Sequence, residues 1–285
     1  SINNILQIEP LELATQFWVN GRLTYFNAIS FEITEVSSKI ANLDSLFSLD
    51  LSNNNITEIP SAIGNNNRLE FFNLSFNSLQ TLPWEIGNST NLKELNLNDN
   101  NISSLPDDIC NLTLLNKLYL KNNQLTELPS DFGELLSLDI LDLSNNNLND
   151  LPDSFNNLIY LDELFLFDNL LSQLPSNFGN LYSLDKLYLQ NNQLTSLPES
   201  IGNLYSLEYV DLENNQLTSL PESIGNLYSL NYLNLYYNQL TSIPERIGNL
   251  YSLESLYLAY NQLTHLPDSI CNIFPLNYAF DHNEL

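Results

Sequence analysis

Side chains able to do covalent or metal chemistry are few and scattered. His265 and His282 are the two histidines, and neither has a second ligand at a zinc-like spacing. The glycines fall singly, mostly in Ile-Gly-Asn triplets, and build no phosphate-cradling loop. No base is placed beside a serine or cysteine nucleophile. The sequence therefore predicts no catalytic residue, no metal and no cofactor. What it offers instead is tyrosine interleaved with carboxylate. The densest stretch is LNLYYNQL, residues 233–240, where Tyr236 and Tyr237 stand in place of the Glu213-Asn214 of VDLENNQL, residues 210–217. Rings beside acids suit non-covalent recognition of a partner: the rings supply area and the acids supply charge.

Those tyrosines sit in a strict period. Leu207 recurs every 23 residues, back to Leu23 and forward to Leu253, with no insertion or deletion. Eleven repeats of the form LxxLxLxxNxLxxLPxxIGNLxx fill residues 23–275. Val210 and Leu212 alternate with outward residues, as in a short strand with one buried face. Pro221 lacks an N–H and cannot continue a central strand. The chain must turn there, and the following PESIG has room for one helical turn, opened by Pro and closed by Gly. Each repeat is thus one coil. Stacked coils bury one another's leucines and pair their strands in parallel, about 4.8 Å apart. The recurring asparagine (Asn54, Asn77, Asn100, Asn123, Asn146, Asn169, Asn192, Asn215, Asn238 and Asn261) has the donors and acceptor to satisfy buried turn backbone.

This pattern resembles the leucine-rich-repeat family over about nine tenths of the chain, in the 23-residue LPxxIGNL form of secreted bacterial, spirochaete-like proteins. The resemblance implies an α/β solenoid: a right-handed, horseshoe-shaped superhelix with a parallel sheet on its concave face and short 3₁₀ or irregular segments on its convex face. It also implies non-catalytic protein–protein recognition through the concave face, by a secreted or surface protein that engages a host or neighbouring partner. A glycan-binding surface and a cytoplasmic signalling scaffold are the alternatives.

Parity fixes the outward strand positions, Tyr209, Asp211, Glu213 and Asn214 in the ninth repeat. Aromatics fill nine of the 20 such positions in repeats seven to eleven, against 11% of the whole chain. They are Phe165, Phe167, Tyr188, Tyr209, Tyr232, Tyr236, Tyr237, Tyr257 and Tyr260, and Tyr278 would extend the run. Asp211, Glu213 and other acids lie between them, with Lys186 the one base. This set is the expected partner-binding surface; sheet-stiffening by cross-strand packing is its rival explanation. A second column, Tyr182, Tyr205, Tyr228, Tyr251 and Phe274, recurs just before the strand and is expected to pack ring on ring.

Eight Lys and Arg against 34 Asp and Glu give a net charge of −26. That disfavours nucleic acid and anionic membranes and favours a partner with a basic surface. No run of apolar residues reaches membrane-spanning length. The sequence starts at Ser1 and contains no Met, so the initiating residues, with any signal peptide, lie outside it. Residues 1–22 read as an N-terminal cap. In PLELATQFWVNG, the Pro and the Asn-Gly bound a helix that would lay Leu13, Ala14, Phe17 and Trp18 over the first coil. Residues 276–285 read as an incomplete repeat whose open edge would pair in a homodimer or with further chain. Cys110 and Cys271, seven repeats apart, are about 30 Å from each other and cannot form a disulfide. Both are expected to be half-buried.

Overall fold

A computed structural model describes residues 15–273 and 277–285. The chain forms two compact units, residues 1–142 and 143–285. The first unit carries strands β1 (Thr15–Val19), β2 (Arg22–Asn27), β3 (Ser48–Asp50), β4 (Phe71–Asn73), β5 (Glu94–Asn96), β6 (Lys117–Tyr119) and β7 (Ile140–Asp142). The second carries β8 (Glu163–Phe165), β9 (Lys186–Tyr188), β10 (Tyr209–Asp211), β11 (Tyr232–Asn234), β12 (Ser255–Tyr257) and β13 (Asn277–Ala279). Within each unit, strands neighbour one another in chain order; from β2 onward pairing is parallel, and up to β12 it is in register with the 23-residue period.

The inward leucines are closed off from water. Val210, Leu212, Leu217 and Ile224 are all buried, as are their counterparts along both units up to Leu263; at the end of the stack Ile270 and Tyr278 are not. The asparagine ladder forms as its donor and acceptor inventory requires. Asn215 Oδ1 accepts the Leu194 N–H, and its Nδ2 donates to the Leu189, Leu212 and Glu213 carbonyls at 3.0–3.3 Å. Asn283 plays the same part in the last coil, accepting from Leu263 N–H, although the sequence spacing there is shorter by one residue.

The return path is a 3₁₀ turn such as Glu222–Asn226, with Pro221 just before it in extended backbone rather than inside it. The repeat glycine does not close this turn conformationally. It makes room: a Cβ at Gly225 would lie 2.2 Å from the Arg246 carbonyl oxygen of the next coil. Ala41, Cys110, Asn156 and Cys271 stand at that position in the other coils, and the small Ala41 is followed by a full turn, Ser61–Asn65, whereas Cys110 and Asn156 are not. The coils that follow Cys110 and Asn156 are the two with a shortened turn, Phe132–Glu134 and Phe178–Asn180.

Three sequence expectations are corrected. Residues 15–27 form an antiparallel hairpin, not the end of a cap helix. Asn20 and Gly21, at φ 52° and 75°, make its turn, because positive φ at both central residues suits a two-residue hairpin. Phe17 and Trp18 are 59% and 52% exposed, so they do not seal the first coil; Leu13 and Ala14 lie outside the described residues. In the last coil β13 pairs Tyr278 with Leu256, one residue out of the period. Tyr278 therefore stands in the inward row, exposed at the end of the stack beside Phe280, and does not extend the outward tyrosines. Finally, the two cysteines differ: both are free, but Cys110 is buried and Cys271 exposed.

Candidate functional site

The outward rows of the second unit lie side by side because parallel register aligns them. One row reads Phe165, Tyr188, Asp211, Asn234, Tyr257; the row before it reads Glu163, Lys186, Tyr209, Tyr232, Ser255. The aromatic positions switch rows at β10 and β11 and switch back at β12. The rings nevertheless stay in contact throughout. Centroid separations are 4.6 Å for Phe165–Tyr188, 4.9 Å for Tyr188–Tyr209, 4.3 Å for Tyr209–Tyr232 and 5.6 Å for Tyr232–Tyr257. Offset and tilted contacts of this kind contribute about 0.5–1.5 kcal/mol each beyond burial. Most of these rings are half-buried, so they stiffen the sheet while presenting an edge to solvent.

The switch of rows makes a ring arc around two polar residues. Asp211 and Asn234 are bracketed by Tyr188 and Tyr257 along their row and by Tyr209 and Tyr232 beside them. Glu213 and Tyr236 close the remaining side, where Asn234 Nδ2 donates to Glu213 Oε2 at 3.0 Å. Asp211 is 8% exposed and Asn234 5%. Burial, followed by repulsion from Glu213, pushes the Asp211 carboxyl up to about 6, against the pull of the Glu213 N–H bond. Burial, together with the charge of Asp211, also raises the Tyr188, Tyr209 and Tyr232 hydroxyls. Among the described residues neither Asp211 nor Glu213 has a basic ion-pair partner; Lys186 is held by Glu163 at 2.6 Å.

A second ring group flanks the arc. The residue after Tyr236 adopts left-handed backbone in every coil, which explains the usual Asn or Asp there. Tyr237 and Tyr260 occupy it at φ 51° and 56°, as His282 does at 54°. Tyr237 stacks on Tyr260 at 4.3 Å, Tyr260 on His282 at 4.1 Å, and Tyr236 touches both tyrosines. A bulky ring in left-handed backbone costs about 1 kcal/mol, and ring stacking offsets a cost of that size. Upstream, the same column is polar: Asn191 Nδ2 donates to Asp168, and Asn214 Nδ2 to Asn191. Phe167, at the other end of the candidate set, is half-buried beside Asp168.

The column before the strand behaves otherwise than expected. Tyr182, Tyr205, Tyr228 and Tyr251 are 54–72% exposed and form no ring pairs among the described residues. Its coil-to-coil contact is made by serine: Ser206, Ser229 and Ser252 hydroxyls donate to the Tyr182, Tyr205 and Tyr228 carbonyls. Phe274 lies outside the described residues.

The first unit holds a feature that outward parity alone misses. A cavity of about 510 Å³ is lined by Val19, Thr24, Tyr25, Ser45, Phe47, Arg68, Glu70 and Asn91. Phe47, 43% exposed, packs on Phe71 at 5.2 Å. Its sequence signal is an aromatic in a column that elsewhere reads Glu70, Lys93, Asp185 or Glu208. Among the described residues no cluster of His, Cys, Asp and Glu is arranged to hold a metal, and no helix is long and apolar enough to cross a membrane.

Coils of strand, turn and 3₁₀ return, joined by an asparagine ladder, define a leucine-rich-repeat solenoid. The chain belongs to the leucine-rich-repeat family. Models described as leucine-rich repeat match residues 45–66, 68–125, 101–191, 182–226 and 206–263. A leucine-rich-repeat protein of Leptospira interrogans is 34% identical, with a TM-score of 0.80 over 90% of this chain and 72% of that one. The ectodomain of the Arabidopsis thaliana membrane receptor kinase GASSHO1/SCHENGEN3, in complex with Casparian strip integrity factor 2, is 32% identical, with a TM-score of 0.84. A plant peptide hormone receptor in complex with RGF2 is 30% identical, with a TM-score of 0.79. The chain covers 96% and 88% of its own length in these two matches and spans 35% and 42% of the receptors. No curated protein sequence matches it.

Proposed function

We propose that this chain is a non-catalytic module that binds a protein segment along the outward sheet face of β8–β12. The observation that carries this reading is the unbroken ring chain from Phe165 to Tyr257, flanked by Tyr236, Tyr237 and Tyr260. Its preformed rings lose little side-chain entropy on binding. The acids among them favour a partner with a basic surface. The two plant receptors at 30% and 32% identity, both solved in complex with a named partner, support a peptide-binding role. The ectodomain likeness also supports a secreted or surface location.

The test is a peptide-display selection on the intact chain, followed by affinity measurements on two double variants. Tyr236→Ser with Tyr257→Ser should weaken the selected binders at least tenfold. Tyr205→Ser with Tyr228→Ser, on the other exposed column, should leave them within twofold. Binders lost with the second pair and kept with the first would overturn the reading. Saturable binding of a neutral oligosaccharide to the intact chain, measured alongside and insensitive to salt, would turn the reading toward glycan recognition.

A further inference from the structure

The residue at the Asp211 position has a local duty in many coils: its side chain caps the turn two residues on. Asn73, Asn96 and Asn234 accept the Ser75, Asn98 and Tyr236 N–H groups at 3.0–3.1 Å, and Asp211 accepts the Glu213 N–H at 3.0 Å. An amide therefore performs this bond as well as a carboxylate does, and the negative charge of Asp211 is not needed for it.

In the first unit Asp50 carries the same charge, but other donors meet it. The Ser52 hydroxyl donates to it at 2.7 Å and Asn73 Nδ2 at 3.2 Å. Asp211 has Glu213 where Asp50 has Ser52, so a second carboxylate replaces a donor. The groups facing Asp211 are Glu213, Asn234 and the Tyr188, Tyr209 and Tyr232 hydroxyls, and none of them is a cation. A buried charge without an opposite partner is costly, and chains avoid it where an isosteric amide serves.

We infer that the Asp211 carboxylate, ringed by Tyr188, Tyr209, Tyr232 and Tyr257, is the seat for an arginine side chain of the bound protein. A guanidinium matches both halves of this site. Its plane stacks on electron-rich rings, and its fork donates two parallel bonds to a carboxylate. Glu213 supplies a second acceptor on the open side. The Asn234 amide, part-buried, donates to Glu213 on that side and also holds Asp211, so a guanidinium takes the Asp211 carboxylate by displacing that one amide donor. A lysine ammonium would gain the charge but not the fork, a neutral planar ureido group would keep the donors but lose the charge, and an anion would gain neither.

This inference rests on the protein-binding reading and is tested apart from it. N-acetyl-arginine methylamide, its lysine analogue and its uncharged citrulline analogue are titrated against the whole chain, following tyrosine ring signals by NMR. The arginine probe should give a saturable shift at Tyr188, Tyr209 and Tyr232 and none at Tyr205, Tyr228 or Tyr251. The lysine probe should bind more weakly, and citrulline should not saturate. Asp211→Asn, which keeps the turn bond, should weaken the arginine probe at least tenfold. Glu222→Gln, an exposed acid outside the site, should change it less than twofold. Between about pH 7 and pH 5 the arginine affinity should fall about tenfold as the carboxylate takes up a proton. Citrulline binding as arginine does, an unchanged response in Asp211→Asn, or no saturable shift overturns the inference. If it fails while display-selected binders still depend on Tyr236 and Tyr257, the binding face stands and only the arginine seat falls.

Discussion

Replacing Asp211 by asparagine should make the protein more stable at neutral pH, although it removes a hydrogen-bonded carboxylate. Asp211 is 8% exposed, and its carboxyl is raised from 3.8 to about 6, first by burial and then by Glu213. At about 1.4 kcal/mol per pH unit, that rise sets about 3 kcal/mol against the folded, ionised state. The sign follows from proton uptake. Below about pH 4 the group is protonated in both the folded and unfolded chain and imposes no penalty. Between about pH 4 and 6 the unfolded chain ionises while the folded one retains its proton, so stability falls. Above about pH 6 the loss is complete and constant. The amide variant would keep a turn bond like the one Asn234 makes and escape the whole loss. Urea titrations of wild type and Asp211→Asn at about pH 4 and pH 7 should differ by only about 0.5 kcal/mol at the lower pH and by about 2–3 kcal/mol at the higher. Glu222→Gln removes one charge from an exposed position and controls for relief of the −26 net charge. If Asp211→Asn gains no more than Glu222→Gln at neutral pH, or gains the same amount at both pH values, then Asp211 is not a buried, uncompensated charge. The arginine-seat argument would then lose its premise.

Two other outcomes follow from the packing. Gly225→Ala should lower stability by about 1–3 kcal/mol, read by urea titration, because its Cβ meets the Arg246 carbonyl of the next coil rather than a yielding side chain. In the native protein at about pH 8, a thiol reagent should modify Cys271 quickly and Cys110 only after denaturation. Cys110 is buried, and desolvation with nearby Asp131 and Asp107 pushes its thiol up to about 11. Equal reactivity of the two thiols in the native state would refute that assignment.

The coil is legible in the sequence because an unbroken 23-residue period leaves one way to place leucine, asparagine and proline. Parity likewise picks out the outward face. What parity cannot give is the relation between rows. The arc around Asp211 exists because Tyr209 and Tyr232 sit two residues earlier in their coils than Tyr188 and Tyr257, and only lateral register brings the four together. The burial of Asp211 is likewise a property of its neighbours. Asn20-Gly21 misleads as a helix boundary because the same dipeptide serves a hairpin equally well. Tyr278 departs from the outward run because one missing residue flips a strand's faces. The repeated LYSL draws the eye to its ring, whereas its serine hydroxyl makes the coil-to-coil bond.

The glycine contact between coils also bears on how such a chain can be cut and copied. Gly225 admits the tightly wound turn after it, whereas Cys110 and Asn156 precede turns that are let out. The coils after Cys110 and Asn156 are thus fitted to the larger residue their predecessors present, and there the transferable module is a junction rather than a single repeat. Excising one 23-residue block among the glycine-bearing coils rejoins like with like. Excising the block that contains Phe132–Glu134 would set the Cys110 side chain against the full turn Asp153–Asn157, a splice that the repeat consensus does not flag and the backbone would not accept.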